Sequence, residues 1–186
     1  MKKTAICGVY LLLILSLAAC SGKVTPNGNI ETLAIVTMAF DCSSHYEYAG
    51  IVDYIFVGTV EKTESIIISD QSEQTHSVYK IHVDKNLKGK LAENIICSKM
   101  GGLKKDGTML LIVAETPKGE QIADTGLPES GKQYIFSAYA QPDGSLTLSE
   151  IFDNREYNQD LLTEYMDYIE NQIPFERERF VSKYSK

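Results

Sequence analysis

Three histidines, His45, His76 and His82, are the only imidazoles in the chain. His76 and His82 stand six apart near one alternating stretch, which puts them on one face of a strand and about 20 Å apart. That is too far for a shared metal ion, and the two read as solvent-facing. Cys42 and His45 have a metal-like spacing, but zinc wants a third and a fourth ligand that this pair lacks. Ser77-Val78-Tyr79-Lys80 has the S-x-x-K spacing of a serine nucleophile and its lysine. There the serine opens a helix; here it falls in a strand, and the partner S-D-N and K-T-G motifs are absent. Asp153, Glu156, Asp160 and Glu164 cluster without the loop pattern that calcium needs, and read as a solvated helix face. No G-x-S-x-G, P-loop or G-x-G-x-x-G occurs. These residues nominate no catalytic group, no metal ligand and no cofactor.

The strongest chemical signal lies at the N-terminus. Met1-Lys2-Lys3 is a basic start, Val9 to Leu15 is an apolar run, and Ser16-Leu17-Ala18-Ala19-Cys20 supplies small residues before a cysteine. This is a secretory signal over residues 1–19. Its apolar run falls short of the roughly 20 residues that span a bilayer as a helix. Leu17-Ala18-Ala19-Cys20 resembles the lipobox of bacterial lipoproteins. The resemblance implies diacylglycerol on the Cys20 thiol, cleavage after Ala19 and, often, acylation of the new amine. Two or three acyl chains hold a protein firmly on a membrane. Ser21 resembles an outer-membrane sorting residue in a cell with two membranes; in a cell with one, the anchor is the cell membrane. The expected localisation is exported and membrane-anchored.

Loss of Lys2 and Lys3 with the signal takes the formal net charge from −7 to −9. An acidic surface argues against nucleic acid, because phosphate recognition needs clustered Lys and Arg. Of four cysteines, Cys7 leaves with the signal and Cys20 carries lipid. Cys42 and Cys97 remain in a compartment where disulfides form. They are either one bridge, closing a loop of about 54 residues and adding ~3–4 kcal/mol on the chain-entropy model, or two buried thiols acting as small apolar side chains.

Residues 20–31, polar and rich in turn formers, read as a lipidated N-terminus and flexible tether. A β-rich domain over 32–157 follows. It opens with a strand over Thr32–Phe40. Ser44 and Glu47 fit a capping box for a short helix over His45–Val52. Val52, Tyr54, Phe56 and Val60 then alternate with Ile55 and Val57, a strand buried on both faces, with Gly58 marking a bulge. Ser69–Gln74 is a polar loop. Ser77, Tyr79, Ile81 and Val83 line one face of a second strand. Asn94–Met100 and Thr108–Ala114 make two more, around turns at Gly101-Gly102 and Lys105-Asp106-Gly107. Residues 115–132 read as a long loop. Gln141-Pro142-Asp143-Gly144 joins Tyr134–Ala140 to Ser145–Phe152 as a hairpin. Residues 158–186 read as a C-terminal helical segment. Leu161, Leu162, Tyr165, Met166 and Ile169 form one apolar stripe, and Pro174 ends the helix or opens a second that turns Phe175 and Phe180 inward before a fraying tail. The sum is mainly β: a small antiparallel barrel or sandwich with a C-terminal α-helix.

Val52-Asp53-Tyr54-Ile55-Phe56-Val57-Gly58-Thr59-Val60 resembles the "A-D-x-I-F-x-G-x-V" opening of bacterial TIMP-like and netrin-module-like domains. Leu87-Lys88-Gly89, Gly101-Gly102 and Gly131-Lys132-Gln133-Tyr134-Ile135-Phe136 match that family's later landmarks in order, over residues 44–152. Val52 stands where the family usually has Ala, and most cysteines of the animal members are missing. The resemblance implies a five-stranded OB-type antiparallel barrel. Animal TIMP proteins place a free N-terminal cysteine amine on a protease's zinc. An acylated Cys20 amine is an amide and a poor ligand, so that mechanism is not expected here.

The expectation is a membrane-anchored, non-catalytic binding module whose partner is a protein or a cell-envelope polymer. The alternatives are an envelope hydrolase with scattered residues, or an accessory lipoprotein of a larger assembly.

Overall fold

The computed structural model describes residues 25–36, 44–68, 75–115, 121–122, 127–149 and 155–186. Its elements run β1 (Ile30–Val36), α1 (His45–Ile51), β2 (Tyr54–Ile68), β3 (Thr75–Lys88), β4 (Asn94–Met100), β5 (Gly102–Leu103), β6 (Met109–Glu115), β7 (Gln121–Ile122), β8 (Gln133–Ala140), β9 (Leu146–Leu148), β10 (Arg155–Glu156) and α2 (Gln159–Glu170). The expected signal, Cys20, Cys42 and the Ser69–Gln74 loop lie outside the described residues.

Five strands close a barrel. β2 pairs with β3 and β8, β3 with β4, β4 with β9, and β9 with β8. This is the OB-type order, and the fold is mainly β with a C-terminal helix. Four of its five seams are antiparallel and one is parallel: β4 and β9 run in the same direction, at Cys97↔Leu146 and Ser98↔Thr147. The reason is arithmetic. Strands that alternate in direction around a closed ring must be even in number, so five cannot close without a parallel pair.

The period-two pattern does what burial requires. Thr75, Ser77, Tyr79, Ile81 and Val83 turn inward along β3. Gly58 sits at a register shift in the β2–β3 ladder. A Cβ there would stand 2.7 Å from Ile81 Cγ2 and 3.1 Å from the His82 carbonyl oxygen, so only glycine lets the strands approach this closely. Phe56, Val60, Tyr79, Ile81, Ile95, Phe136, Leu146 and Leu148 fill the interior. The hairpin over Gln141–Gly144 forms as expected, with Gly144 N donating to the Gln141 carbonyl at 2.8 Å. Cys97 faces the interior as a free, buried thiol. Burial pushes its pKa up, because the thiolate has no solvent there.

Two expected barrel strands lie elsewhere. β1 and β6 pair in parallel from Ile30↔Met109 to Val36↔Glu115, in a separate sheet with β5 and β7. Both runs are apolar enough to be strands, but burial pattern alone does not choose partners. The sheet also corrects the tether. Asn27 N donates to the Gly107 carbonyl at 2.9 Å, Met109 N donates to Asn29 at 2.9 Å, and Lys104 Nζ lies 2.9 Å from Glu31 Oε2. The expected tether is therefore held to the domain from about Asn27 onward.

A second apolar cluster lies outside the barrel. The outward residues of β2 and β8, Ile55, Val57 and Ile135, pack with Tyr48, Ile51 and Val52 of the α1 region and Leu161, Leu162 and Tyr165 of α2. Val52 belongs here rather than with Tyr54 and Phe56, because it is the C-cap of α1 and not yet strand. Ser44 caps α1 as expected, its side chain accepting from Glu47 N at 3.3 Å. Asn158 does the same for α2, accepting from Leu161 N at 2.8 Å. Met166 departs from the apolar stripe and is 46% exposed.

The C-terminal expectation needs the largest correction. α2 stops at Glu170, and no second helix follows Pro174. Residues 171–186 form a strap instead, bonded to α1, the barrel and two loops. Its end does not fray: Leu91 and Ser185 form an antiparallel bridge, and Lys186 N donates to the Lys90 carbonyl at 3.2 Å. Main-chain pairing at that end holds residues that a sequence pattern reads only as charged and terminal.

Candidate functional site

The outer face of β3 and β4 is an open surface of the barrel wall. Register places Val78 opposite Ser98, Lys80 opposite Ile96 and His82 opposite Asn94. Ile96 is 43% exposed, a large apolar side chain left in water. Val78 and Met100 are half-buried on the same face. Lys80 Nζ pairs with Glu61 Oε2 at 2.6 Å, which holds the Glu61 carboxyl below its usual range. Beyond the apolar row, Asp84 Oδ2 accepts from Thr59 Oγ1 at 2.8 Å and from Gln133 Nε2 at 3.0 Å. His82 Nε2 stands 3.9 Å from Asp84 Oδ1 and 3.9 Å from Glu93 Oε1. The face is an apolar strip edged by a polar, partly acidic row. That composition suits recognition, with area from the strip and orientation from the row.

The serine–lysine spacing separates in space. Ser77 turns inward and its Oγ donates to the Gly101 carbonyl at 3.0 Å, while Lys80 turns outward to Glu61. Residues three apart on a strand point to opposite faces, so this pair cannot serve as nucleophile and base. His76 and His82 share the outer face, neither of them fully buried. His45 stacks on Tyr168 at 4.8 Å, and burial with nearby Arg155 lowers its pKa. Among the described residues no group of three His, Cys, Asp or Glu is placed to hold a metal. Asp160 and Glu164 are exposed on α2; Glu156, also exposed, lies on β10 rather than a helix, and Asp153 lies outside the described residues.

A second region escaped the sequence reading. Asp53 has a side chain only 6% exposed and meets two cations of the strap: Arg177 Nη2 at 2.6 Å and Arg179 Nη1 at 2.9 Å. Its other oxygen accepts from Ala140 N at 3.0 Å. The same cations cap α1, whose own last turn carries no basic residue. Arg179 Nη2 donates to the Gly50 carbonyl at 2.6 Å, Arg177 Nε to Ile51 at 2.9 Å, and Lys88 Nζ to Ala49 at 2.6 Å. Cations belong at the carbonyl end of a helix, where the peptide dipoles leave partial negative charge. Burial, followed by the charge of Arg179, lowers the Lys88 pKa to about 8. The strap passes so close to α1 that a Cβ on Gly50 would lie 1.8 Å from the Ile173 carbonyl oxygen. The one signal available in sequence was Asp53 itself, an acid inside an apolar run.

Beyond this latch the strap crosses one mouth of the barrel. Phe180 and Tyr184 pack on the interior cluster, and Ser182 is buried between them. Ser182 N donates to Tyr54 Oη at 3.1 Å, and Tyr54 Oη is 2.7 Å from Ser185 Oγ. Lys183 N donates to the Gly144 carbonyl at 2.9 Å, and Ala92 N to Tyr184 at 2.7 Å.

No protein-family model matches this chain, and no curated protein matches it. Among the described residues no helix is long and apolar enough to cross a membrane.

Proposed function

We propose that this chain is an exported lipoprotein, held to a membrane by lipid on Cys20, that presents its barrel as a non-catalytic binding module. In a cell with two membranes, Ser21 directs it to the outer one. The observation that supports the binding role is Ile96, exposed within the outer β3–β4 face. OB-type barrels commonly take their ligands on the face of their second and third strands, the places β3 and β4 hold here. The partner is a protein or a cell-envelope polymer; the acidic balance of the mature chain disfavours nucleic acid. The resemblance to TIMP-like domains supports the same reading, since it brings a scaffold for recognition and no catalytic set.

Two measurements test it. Cells fed a fatty-acid probe are expected to label the wild-type chain and leave Cys20→Ala unlabelled; label on the variant ends the anchor reading. Cross-linking on intact cells with a tagged chain is expected to capture one saturable partner that Ile96→Glu loses. Equal capture by folded Ile96→Glu removes this face from the proposal.

A further inference from the structure

We propose that the carbonyl end of α2, with Tyr46 and Ile173 beside it, is a docking surface for a partner protein that presents an arginine side chain next to an apolar one. The site is separate from the outer β3–β4 face and does not rest on the reading of that face.

The two helices end in opposite ways. The carbonyl end of α1 is met by Lys88, Arg177 and Arg179. α2 carries Asp160, Glu164, Asp167 and Glu170 and no lysine or arginine, and the last two acids stand in its final turn. Carboxylates in that turn stand against the partial negative charge of the helix end, and like charges three or four residues apart repel. Glu164 has Arg155 at 3.6 Å, but among the described residues no cation pairs with Asp167 or Glu170. The strap cations Arg177 and Arg179 are turned to Asp53 instead. A cation from outside the chain would offset the carboxylates and the helix end together.

Asp167 is held ready for one. Its Oδ2 accepts from Tyr46 Oη at 2.8 Å, and its Oδ1 accepts from Asn171 Nδ2 at 2.8 Å. Both donors are neutral, so they fix the carboxylate without cancelling its charge. The Tyr46 side chain is 37% exposed, and its ring stands perpendicular to that of Tyr168 at 5.5 Å. The bond to Asp167 raises the Tyr46 pKa, so the phenol keeps its proton. A phenol that donates to a carboxylate also has an electron-richer ring, which favours a cation over the ring face. Ile173, 49% exposed, adjoins it, its N–H donating to the Tyr46 carbonyl at 3.0 Å. A fixed carboxylate beside an aromatic ring suits arginine, whose planar fork pairs with the one and stacks on the other. Anionic polymers and anionic lipid are repelled here, and a neutral glycan uses none of the charge. A protein segment supplies both the cation and the apolar neighbour that Ile173 requires.

The test follows the amide resonances of the full chain, isotopically labelled and held in detergent, as the peptide acetyl-Arg-Leu-Arg-amide is added. The expected result is saturable shifts centred on Tyr46 and residues 167–173, and none from acetyl-Glu-Leu-Glu-amide. Asp167→Asn keeps an acceptor for Tyr46 and removes the charge; it is expected to weaken binding about fivefold, the worth of one exposed ion pair. Absence of saturable shifts at these residues, equal shifts from the acidic peptide, or unchanged affinity in folded Asp167→Asn overturns the proposal. If that variant does not fold, salt decides on the unaltered chain: raising NaCl from about 20 to about 300 mM is expected to weaken binding about threefold. Equal affinity at both salt concentrations overturns the proposal. Tetramethylammonium chloride that binds as tightly as the basic peptide makes this a small-cation site and overturns protein docking.

Discussion

The barrel interior and the cluster between its wall and the two helices bury similar side chains but are secured differently. Phe56, Tyr79, Ile81 and Phe136 sit inside a ring of paired strands, where each neighbour is fixed by backbone hydrogen bonds. Ile55, Val57 and Ile135 sit on the outside of the same strands, covered by α1 and α2. α1 is only seven residues long, too short to persist alone, and its carbonyl end is held by Lys88, Arg177 and Arg179. The inner cluster rests on topology; the outer one rests on a polar latch at one carboxylate. The strap touches both, through Phe175 on the outer cluster and through Phe180 and Tyr184 on the inner.

The largest effect should come from the interior. Phe56→Ala empties a fully buried ring and is expected to cost about 3–5 kcal/mol, read by urea unfolding, with both clusters lost in one transition. Asp53→Asn keeps an acceptor for Ala140 N but removes the charge facing two guanidinium groups. The expected loss is about 2–3 kcal/mol, reduced from a fully buried pair because Arg179 is 39% exposed. Exchange should quicken in α1 and the strap and stay slow in β2 and β3; equal quickening throughout would erase the distinction between the clusters. Gly50→Ala forces the strap off α1 and should cost about 1–3 kcal/mol, again confined to the outer side. If Gly50→Ala is as stable as wild type, the close approach at Ile173 is wrong. Tyr54→Phe strips Ser182 N of its acceptor and should cost about 1–2 kcal/mol, with faster exchange at the strap's end.

The smallest effect is a pH dependence. His45 has its pKa lowered in the folded chain, first by burial and then by Arg155. Its contribution is therefore complete above its ordinary value of 6.5 and declines as pH falls below it, because the unfolded chain takes up a proton that the folded chain resists. His45→Gln should remove that part of the acid sensitivity. An unchanged pH profile would place the stacking on Tyr168 outside the stability of the outer cluster.

What the sequence disclosed tracks this division. Alternation along Thr75–Val83, the Gln141–Gly144 turn and Gly58 are local signals, and each has its place in the barrel. The parallel pairing of β1 with β6 joins segments far apart in the chain, and apolar runs carry no record of their partner. The strap was harder still. Arg177 and Arg179 read as solvated charge because nothing nearby in sequence marks the α1 carbonyls they meet more than 120 residues away. On the outer face, the S-x-x-K spacing was legible and empty, whereas exposed Ile96 is recognisable only once β4 is known to have one face in water.

The long-range seams of the barrel imply an order of events. β2, β3 and β4 follow one another in the chain, and β8 with β9 is a tight hairpin, so both can form by local closure. β4 and β9 meet at only two positions, 49 residues apart in the chain (146 − 97), and β2 meets β8 across 74 to 84 (133 − 59, 138 − 54). Contacts that close large loops form late, since chain entropy must be lost before they return anything. The two long-range seams, β2–β8 and β4–β9, are thus expected to close after the local units, and Cys97, at the second of them, is expected to lose its access to reagent in that step. A cysteine with no chemistry assigned becomes the natural clock for barrel closure, and the same thiol would be among the first to reappear when the ring loosens.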